Sequence, residues 1–270
     1  MTRVIVSAPL DQLNSGDFRF LEEAARLGEL HVLLWPDDAV RALAGRAPKF
    51  PRAERRYVLQ AVRYVTAVHE ADGPVPADAL PALKSFRPDL WVVDETHDTP
   101  EKRAWCASHG LAYRVLAAGD LAGFPEPPPL PPSSRPKVIV TGCYDVLHSG
   151  HVRFFEEVSG LGDLYVALGH DENIRLLKGA GHPQCGQAER RYMAGSIRHV
   201  RQALVSTGMG WLDAEPEIAM LKPDLYAVNE DGDRPEKREF CQNHGIRYVV
   251  LKRLPKPGLA RRTSTDLRGF

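Results

Sequence analysis

The sequence predicts an α/β protein made of two tandem domains, each a parallel sheet with helices on both faces. Three observations predict this fold class. The segment that starts at Arg3 aligns with the segment that starts at Lys137 with almost no gaps. Within each copy, short apolar runs alternate with segments of helical periodicity. The 270 residues, of which 43% are hydrophobic, are enough for two cores.

The internal repeat extends through most of both copies. RVIVSAPLDQLNSGDFRFLEEAARLGEL aligns with KVIVTGCYDVLHSGHVRFFEEVSGLGDL, and AERRYVLQAVRYV aligns with AERRYMAGSIRHV. RPDL aligns with KPDL, and PEKR recurs at Pro100 and Pro235. The Pro-rich stretch between the copies is typical of a semi-rigid, extended linker. We therefore predict domains over residues 1–123 and 137–270, joined by a linker over residues 124–136.

The elements of the second copy follow in order along the chain. VIVTG, LYVALG, LYAVNE and YVVLK are predicted strands with both faces buried, because they are continuous apolar runs. HVRFFEEVSGLG (151–162) and AERRYMAGSIRHVRQAL (188–204) carry apolar residues near a 3.6-residue period and are predicted helices. Such strand–helix alternation predicts a parallel sheet, with ligands beyond the carboxyl ends of its strands.

Charge and composition exclude several classes of partner. Lys and Arg number 35 and Asp and Glu number 35, with no long basic block, so we expect no nucleic acid partner. No apolar run reaches the roughly 18 to 20 residues of a membrane span, and the N-terminus lacks the apolar core of a signal peptide. We expect a cytoplasmic protein with no membrane span. The four cysteines form no CxxC pair, which predicts free thiols and no zinc site.

The first strand-to-helix junction of the second copy predicts an anion site. Here VIVT is followed by GCYDVLHSGH and then by an amphipathic helix. Amides in the first turn of that helix point outward, with the positive end of the helix dipole behind them. His148 and His151 are three residues apart and can both donate N–H groups to phosphoryl oxygens. The alternative is a pair of structural or metal-binding histidines.

GCYDVLHSGH resembles the G-x-[FY]-D-x-x-H-x-G-H signature of the nucleotidyltransferase superfamily with HxGH motifs. It is most similar to the cytidylyltransferases for choline phosphate, ethanolamine phosphate and glycerol 3-phosphate. Lys178 stands at the family's lysine after the second strand, and Arg198 stands at a ligand-contacting arginine of the family. Where the family has RTEGISTT near its C-terminus, this chain has RRTSTDLR. The resemblance implies two Rossmann-like nucleotidyltransferase domains, the second one catalytic.

The resemblance also implies residue roles and a reaction. CMP would pass from CTP to a small phosphorylated alcohol or phosphonate, with release of pyrophosphate. His148, His151 and Lys178 would be catalytic, and Arg198 would bind a phosphate or the acceptor. Mg2+ would be bound by the triphosphate rather than by protein side chains. The implied nucleotide contacts are Gly142, Cys143, Tyr144, Asp145, Gly150, Asn229, Glu230, Asp231, Arg262, Thr263, Ser264 and Thr265.

Departures from the family pattern leave alternatives open. Asn229, Glu230 and Asp231 replace the GDD that cytidylyltransferases usually carry, which leaves adenylyl transfer from ATP to a sugar phosphate or similar acceptor as a second hypothesis. The loss of Glu-Gly-Ile before Ser264 leaves open whether Arg261 or Arg262 contacts nucleotide. A third hypothesis is a non-catalytic nucleotide-binding or scaffolding protein. A Rossmann oxidoreductase is excluded because no strand is followed by GxGxxG.

The first copy predicts the opposite outcome at the same junction. It has Asn14 and Asp17 at the positions of the two histidines, and Ala44 at the position of Lys178. A carboxylate where a phosphate should lie would repel it. We predict a degenerate, catalytically inactive domain that packs on the second copy as an internal pseudo-dimer, with a homodimer of the whole chain also possible.

Overall fold

The computed structural model describes residues 1–71, 75–81, 83, 86–128, 130–264 and 267. The chain divides into two compact units, Met1–Gly123 and Phe124–Phe270. We call them the first unit and the second unit.

Over its described residues, the first unit is a five-stranded parallel sheet with four α-helices. Its strand order is β3-β2-β1-β4-β5, so the first strand lies between the second and the fourth. In chain order its elements are β1 (Arg3–Ala8), α1 (Ser15–Ala25), β2 (Glu29–Leu34), α2 (Asp37–Ala44), α3 (Arg52–Ala61), β3 (Ala67–Glu70), β4 (Leu90–Asp94), α4 (Pro100–Ser108) and β5 (Ala112–Leu116).

The second unit repeats this topology. Its parallel sheet has the order β10-β9-β6-β7-β8, which again places the first strand between the second and the fourth. Its elements are β6 (Lys137–Gly142), α5 (Ser149–Ser159), β7 (Asp163–Leu168), α6 (Asp171–Lys178), α7 (Gln187–Gly195), β8 (Val200–Val205), α8 (Glu215–Leu221), β9 (Leu225–Asn229), α9 (Pro235–Asn243) and β10 (Arg247–Leu251). Strand order therefore reverses beside β6, where open α/β sheets bind ligands.

Both faces of the central strands β6, β7 and β9 are buried, whereas the predicted burial of YVVLK is wrong, because β10 is an edge strand in which Val250 is 38% exposed. Successive residues of a strand point to opposite faces. On one face, Ile139 and Tyr226 form a core with Ile218 of α8 and Phe240 of α9. Residues of the other parity are also buried, including Val140 at 0% exposure. Two parallel sheets covered by helices confirm the predicted α/β, Rossmann-like fold class.

One predicted helix is wrong over its second half. The periodicity of AERRYMAGSIRHVRQAL predicts a helix over residues 188–204, but α7 ends at Gly195 and β8 begins at Val200. β8 pairs in parallel with β7, for example through Val166 and Ala203. Apolar residues spaced for a helix face also suit a strand at a sheet edge, and here sheet pairing outweighs the local pattern.

No helix among the described residues is long and apolar enough to cross a membrane.

Candidate functional site

A cleft opens at the carboxyl ends of β6 and β9 in the second unit. It brings together residues from the β6–α5 junction, the end of α6, the end of β9 and the C-terminal segment. The sequence-predicted residues that line it are Gly142, Cys143, Tyr144, Asp145, Gly150, His151, Lys178, Asn229, Asp231 and Ser264.

The loop below the cleft is held by Asp145 and Arg190, both almost fully buried. The Asp145 carboxylate accepts the backbone N–H groups of Gln184 and Cys185 at 2.8 and 2.9 Å. Arg190 donates to the carbonyls of Cys143, Gly169 and Cys185 and to the Asp171 carboxylate. Asp145 was predicted as a nucleotide contact, but its carboxylate binds backbone N–H groups. These hydrogen bonds support a role in positioning the loop.

His148 and His151 form a stacked pair at the start of α5. His148 is the N-cap residue, and its Nδ1 accepts the Gly150 N–H at 3.1 Å. That hydrogen bond assigns the proton of the neutral ring to Nε2. The two imidazole centroids are 3.9 Å apart. A Cβ at Gly150 would lie 2.9 Å from His148 Cε1, so glycine is required for this arrangement.

Both histidines are neutral at physiological pH. Burial, with Arg253 and Arg262 nearby, lowers the pKa of His148 to about 3. Burial and the neighbouring His148 hold the pKa of His151 well below its usual value. The His148 ring can therefore donate its Nε2–H to an oxygen anion without adding a positive charge, and the His151 ring can do so in the tautomer whose N–H faces the cleft.

Gly142 and Tyr144 shape the wall behind the histidines. Tyr144 has φ +52°, and its ring lies edge-on to His151 with the centroids 5.1 Å apart. A Cβ at Gly142 would lie 2.8 Å from the Tyr144 ring, so this glycine lets the ring approach the strand end. Cys143 is buried beside them, and its carbonyl accepts from Arg190.

The C-terminal segment returns to the β6–α5 junction. Ser264 Oγ lies 3.4 Å from His148 Nε2. The Arg262 carbonyl accepts from Arg253 at 3.4 Å, and the Leu267 N–H donates to the Thr263 carbonyl at 3.3 Å. The predicted contact Thr265 lies outside the described residues.

The remaining predicted residues differ in their placement. Lys178 is the last residue of α6, is exposed and lines the cleft. Glu230 lies beside the cleft, where its carboxylate accepts the Arg253 N–H at 3.4 Å. Arg198 is exposed between α7 and β8 and is not among the cleft-lining residues described. The structure therefore brings most of the predicted site together but leaves Arg198 out of the cleft. His148, which is 1% exposed, is also not among the residues that line it.

Sequence reasoning missed two cations that line the cleft, Arg253 and Lys237. Arg253 forms an ion pair with Asp231, which also lines the cleft. The repeat carried a signal for Arg253, because Ala118 occupies the equivalent position after β5 in the first copy. This is the same kind of asymmetry that singled out the two histidines.

The corresponding junction of the first unit is closed by its own side chains. Asn14 Oδ1 accepts the N–H groups of Gly16 and Asp17, and the Asp17 carboxylate accepts the Asn14 N–H at 2.8 Å. This capping box satisfies the amides that an anion would otherwise contact. The scaffold below it is kept, because Asp11 accepts the N–H groups of Lys49 and Phe50.

Comparison with known proteins places the second unit in a family. The cytidylyltransferase-like family model matches residues 139–253. The FAD synthase of Thermococcus kodakarensis is 31% identical over 119 residues, which cover 43% of this chain and 78% of that protein. The FAD synthase of Pyrococcus abyssi is 34% identical over 125 residues, which cover 45% of this chain and 81% of that protein. The chain belongs to the cytidylyltransferase-like family.

A third relative of this cytidylyltransferase-like chain is much longer than the matched region. The bifunctional protein HldE of Desulfatibacillum aliphaticivorans is 46% identical over 120 residues, 43% of this chain but only 24% of that protein. These relatives confirm the resemblance to the nucleotidyltransferase superfamily on which the site was predicted. The chain is thus a nucleotidyltransferase of the cytidylyltransferase-like family.

Proposed function

We propose that the second unit transfers a nucleoside monophosphoryl group from a nucleoside triphosphate to a phosphorylated acceptor, and that the first unit is inactive. One observation carries this proposal. Ser264 and His148, which are far apart in the sequence, lie 3.4 Å apart at the N-terminus of α5, with Lys178 lining the same cleft. Two signature segments thus converge on one anion-binding position.

The reaction needs positioning more than proton transfer. An oxygen of the acceptor's phosphate or phosphonate attacks the α-phosphorus, a new P–O–P bridge forms, the bond to the β-phosphate oxygen breaks, and pyrophosphate leaves. The attacking oxygen is already anionic near neutral pH, so no general base is needed.

The residues of the cleft suit charge stabilisation. His148 would turn its Nε2–H from Ser264 to a phosphoryl oxygen, and His151 would donate a second N–H. The Lys178 side chain is exposed, long and flexible, so its ammonium can stay close to the negative charge that builds up on the leaving pyrophosphate. Arg253 is paired with Asp231, an ion pair that an incoming triphosphate would compete for.

Two kinds of evidence favour different bases for the donor nucleotide. The sequence signature and the family description favour CTP. The FAD synthase relatives, matched over most of their length, make a product that contains an adenylyl group and favour ATP. Asn229 and Asp231 line the cleft in place of the residues usual in cytidylyltransferases. We therefore place ATP first and CTP second, and FMN is the first acceptor to test because it is a phosphate monoester.

Mg2+ enters this proposal only with the triphosphate. Within the described part of the chain, no group of three or more His, Cys, Asp or Glu side chains could hold a metal ion. An ion that arrives with the triphosphate is bound mostly by phosphate oxygens and water, and it would need no cage of protein side chains.

Pyrophosphate release tests the proposed function. The chain is incubated with Mg2+ and either ATP or CTP, against a panel of FMN, sugar phosphates, phosphoalcohols and phosphonates. Acceptor-dependent release by the wild type, lost in His151→Ala, supports transfer and identifies the donor. Nucleotide binding without release across the whole panel would instead support a non-catalytic nucleotide-binding protein.

A further inference from the structure

Lys237 lies in the first turn of α9, within the PEKR segment that recurs in both copies. Its side chain is 8% exposed and lines the cleft. The proposed mechanism gives it no role. A buried lysine that faces a phosphate-binding cleft therefore requires an explanation.

The surroundings of the Lys237 ammonium contain hydroxyls, and the buried Asp213 carboxylate attracts the ammonium without forming an ion pair with it. Its Nζ donates to Thr141 Oγ1 at 3.2 Å and lies 5.7 Å from the centre of the Tyr226 ring. Thr141 Oγ1 in turn lies 2.6 Å from the Tyr226 hydroxyl. Across the described ranges, no carboxylate oxygen lies within 4.0 Å of this ammonium. Burial lowers the pKa of Lys237, which reflects the cost of keeping an unpaired cation there.

The equivalent lysine of the first unit has a carboxylate partner. Lys102 has the same place in α4, is also 8% exposed, and donates to the His97 carbonyl at 2.6 Å. Its ammonium lies 3.7 Å from a carboxylate oxygen of Asp78. The repeat thus kept the lysine in both units, but only in the second does it face the cleft with no carboxylate oxygen within 4.0 Å among the described residues.

An unpaired buried cation is costly, so a site that retains one is suited to an anionic ligand. The donor triphosphate has other partners in the two histidines, Lys178 and Ser264. The acceptor's phosphate must also be held within reach of the α-phosphorus, and no other buried, unpaired cation among the residues lining the described cleft is available for it.

We propose that Lys237 Nζ and Thr141 Oγ1 form the subsite for the phosphate or phosphonate group of the acceptor. This inference rests on the proposed function, since it assigns one ligand of that reaction. Lys178 follows β7 and Lys237 follows β9, so the two cations lie on opposite sides of the end of β6. The reacting phosphates would meet between them.

A binding experiment tests the subsite without turnover. The wild type is saturated with α,β-methylene ATP or α,β-methylene CTP, whichever binds more tightly, and titrated with inorganic phosphate by calorimetry. We expect saturable phosphate binding that weakens at least about 10-fold in Lys237→Met, with analogue affinity within about twofold of wild type. Lys102→Met is the matched control and should bind phosphate as the wild type does.

Three outcomes would overturn the subsite. They are no phosphate binding by the analogue-saturated wild type, unchanged binding in Lys237→Met, and an equal loss of analogue affinity. Thermal unfolding checks the fold of Lys237→Met, which should unfold no lower than the wild type because it removes an unpaired buried charge. Should Lys237→Met fail to fold, Lys237→Arg keeps the cation and should bind phosphate, whereas Lys237→Gln should not.

Kinetics separate this inference from the proposed function. In an active wild type, Lys237→Met should raise KM for the acceptor at least about 10-fold and leave KM for the nucleotide within about twofold. If the wild type releases no pyrophosphate with any acceptor but still binds phosphate through Lys237, the proposed function fails and the subsite stands. If release is normal and only the nucleotide KM changes, the subsite is wrong and the function stands.

Discussion

Arg190 of the second unit makes the same set of hydrogen bonds as Arg55 of the first. Arg55 donates to the carbonyls of Pro9, Trp35 and Phe50 and pairs with Asp37 at 2.7 Å. Arg190 donates to three equivalent carbonyls and pairs with Asp171 at 2.8 Å. The repeat therefore preserves a scaffold that fixes the loops at the strand ends, whatever the chemistry above it.

This shared scaffold predicts paired effects on stability but not on activity. Arg190→Met and Arg55→Met each leave two buried carbonyls and one half-buried carbonyl without their donor, and each should destabilise its unit by about 3 kcal/mol or more. Thermal unfolding and denaturant titration measure both losses. Only Arg190→Met should also reduce pyrophosphate release under conditions where the chain stays folded. An equal loss of activity in Arg55→Met would contradict an inactive first unit.

The two histidines predict an asymmetric pair of variants. His151→Ala should lower the rate of pyrophosphate release at least about 100-fold, because it removes a donor that stabilises transition-state charge. Asp17→Ala, at the equivalent position of α1, should leave the rate unchanged. Steady-state rates with the donor and acceptor identified in the panel give the comparison. A fully active His151→Ala, or an inactive but folded Asp17→Ala, would show that the site is misplaced.

Gly150 predicts a steric test of the same junction. A Cβ there would lie 3.0 Å from His148 Nδ1 and 2.9 Å from Cε1, so Gly150→Ala must displace the ring. A displacement of about 1 Å in such a site can lower the rate roughly 100-fold. Gly16→Ala is the control, because its Cβ would meet only Asn14 Oδ1, at 3.1 Å. Rates and unfolding temperatures of both variants are compared, and an active Gly150→Ala would argue against the observed ring position.

The low pKa of His148, about 3, predicts a loss of stability in acid. An unfolded histidine takes up a proton as the pH falls below about 6.5, whereas the folded one stays neutral until about pH 3. The contribution of the neutral His148 ring to the free energy of unfolding is therefore fully present above pH 6.5, and it is lost progressively as the pH falls toward 3. His148→Asn keeps a good N-cap and removes this titration. Its free energy of unfolding should fall less than that of the wild type between pH 7 and 5, and a parallel fall would contradict the burial of a neutral ring.

Arg253 and Arg198 should contribute differently to nucleotide affinity. Arg253 was found in the cleft of the structure, whereas Arg198 was suggested by the family signature. Arg253 lines the cleft and Arg198 does not, so Arg253→Ala should weaken nucleotide binding about 10-fold. Arg198→Ala should change it by less than about threefold. Equilibrium titration with a non-hydrolysable nucleotide measures both affinities. The reverse ranking would mean that the segment before β8 moves to the nucleotide.

Local sequence patterns were sufficient to predict four strands of the second unit and the position of its cleft. The apolar runs at β6, β7, β9 and β10 predicted strands, and the junction before α5 predicted the cleft. The helix predicted over 188–204 is wrong after Gly195, because Val200–Val205 pairs with β7 and forms a strand instead.

The roles of single polar residues depended on contacts that no local pattern contains. Asp145 and Arg190 hold the backbone of the loop, which only the fold reveals. Arg253 and Lys237 reach the cleft from the end of β10 and the start of α9. A residue-by-residue comparison of the two copies would have found Arg253, since Ala118 replaces it, but not Lys237, since Lys102 matches it and only the counter-ion differs.

The most direct measurement is a crystal structure of the chain with Mg2+ and α,β-methylene ATP or CTP. We expect the α-phosphate beside His148 Nε2 and His151, the distal phosphates near Lys178 and Ser264, and the base near Asn229. A nucleotide bound beside Asn14 and Asp17 in the first unit, with the cleft of the second unit empty, would contradict this expectation.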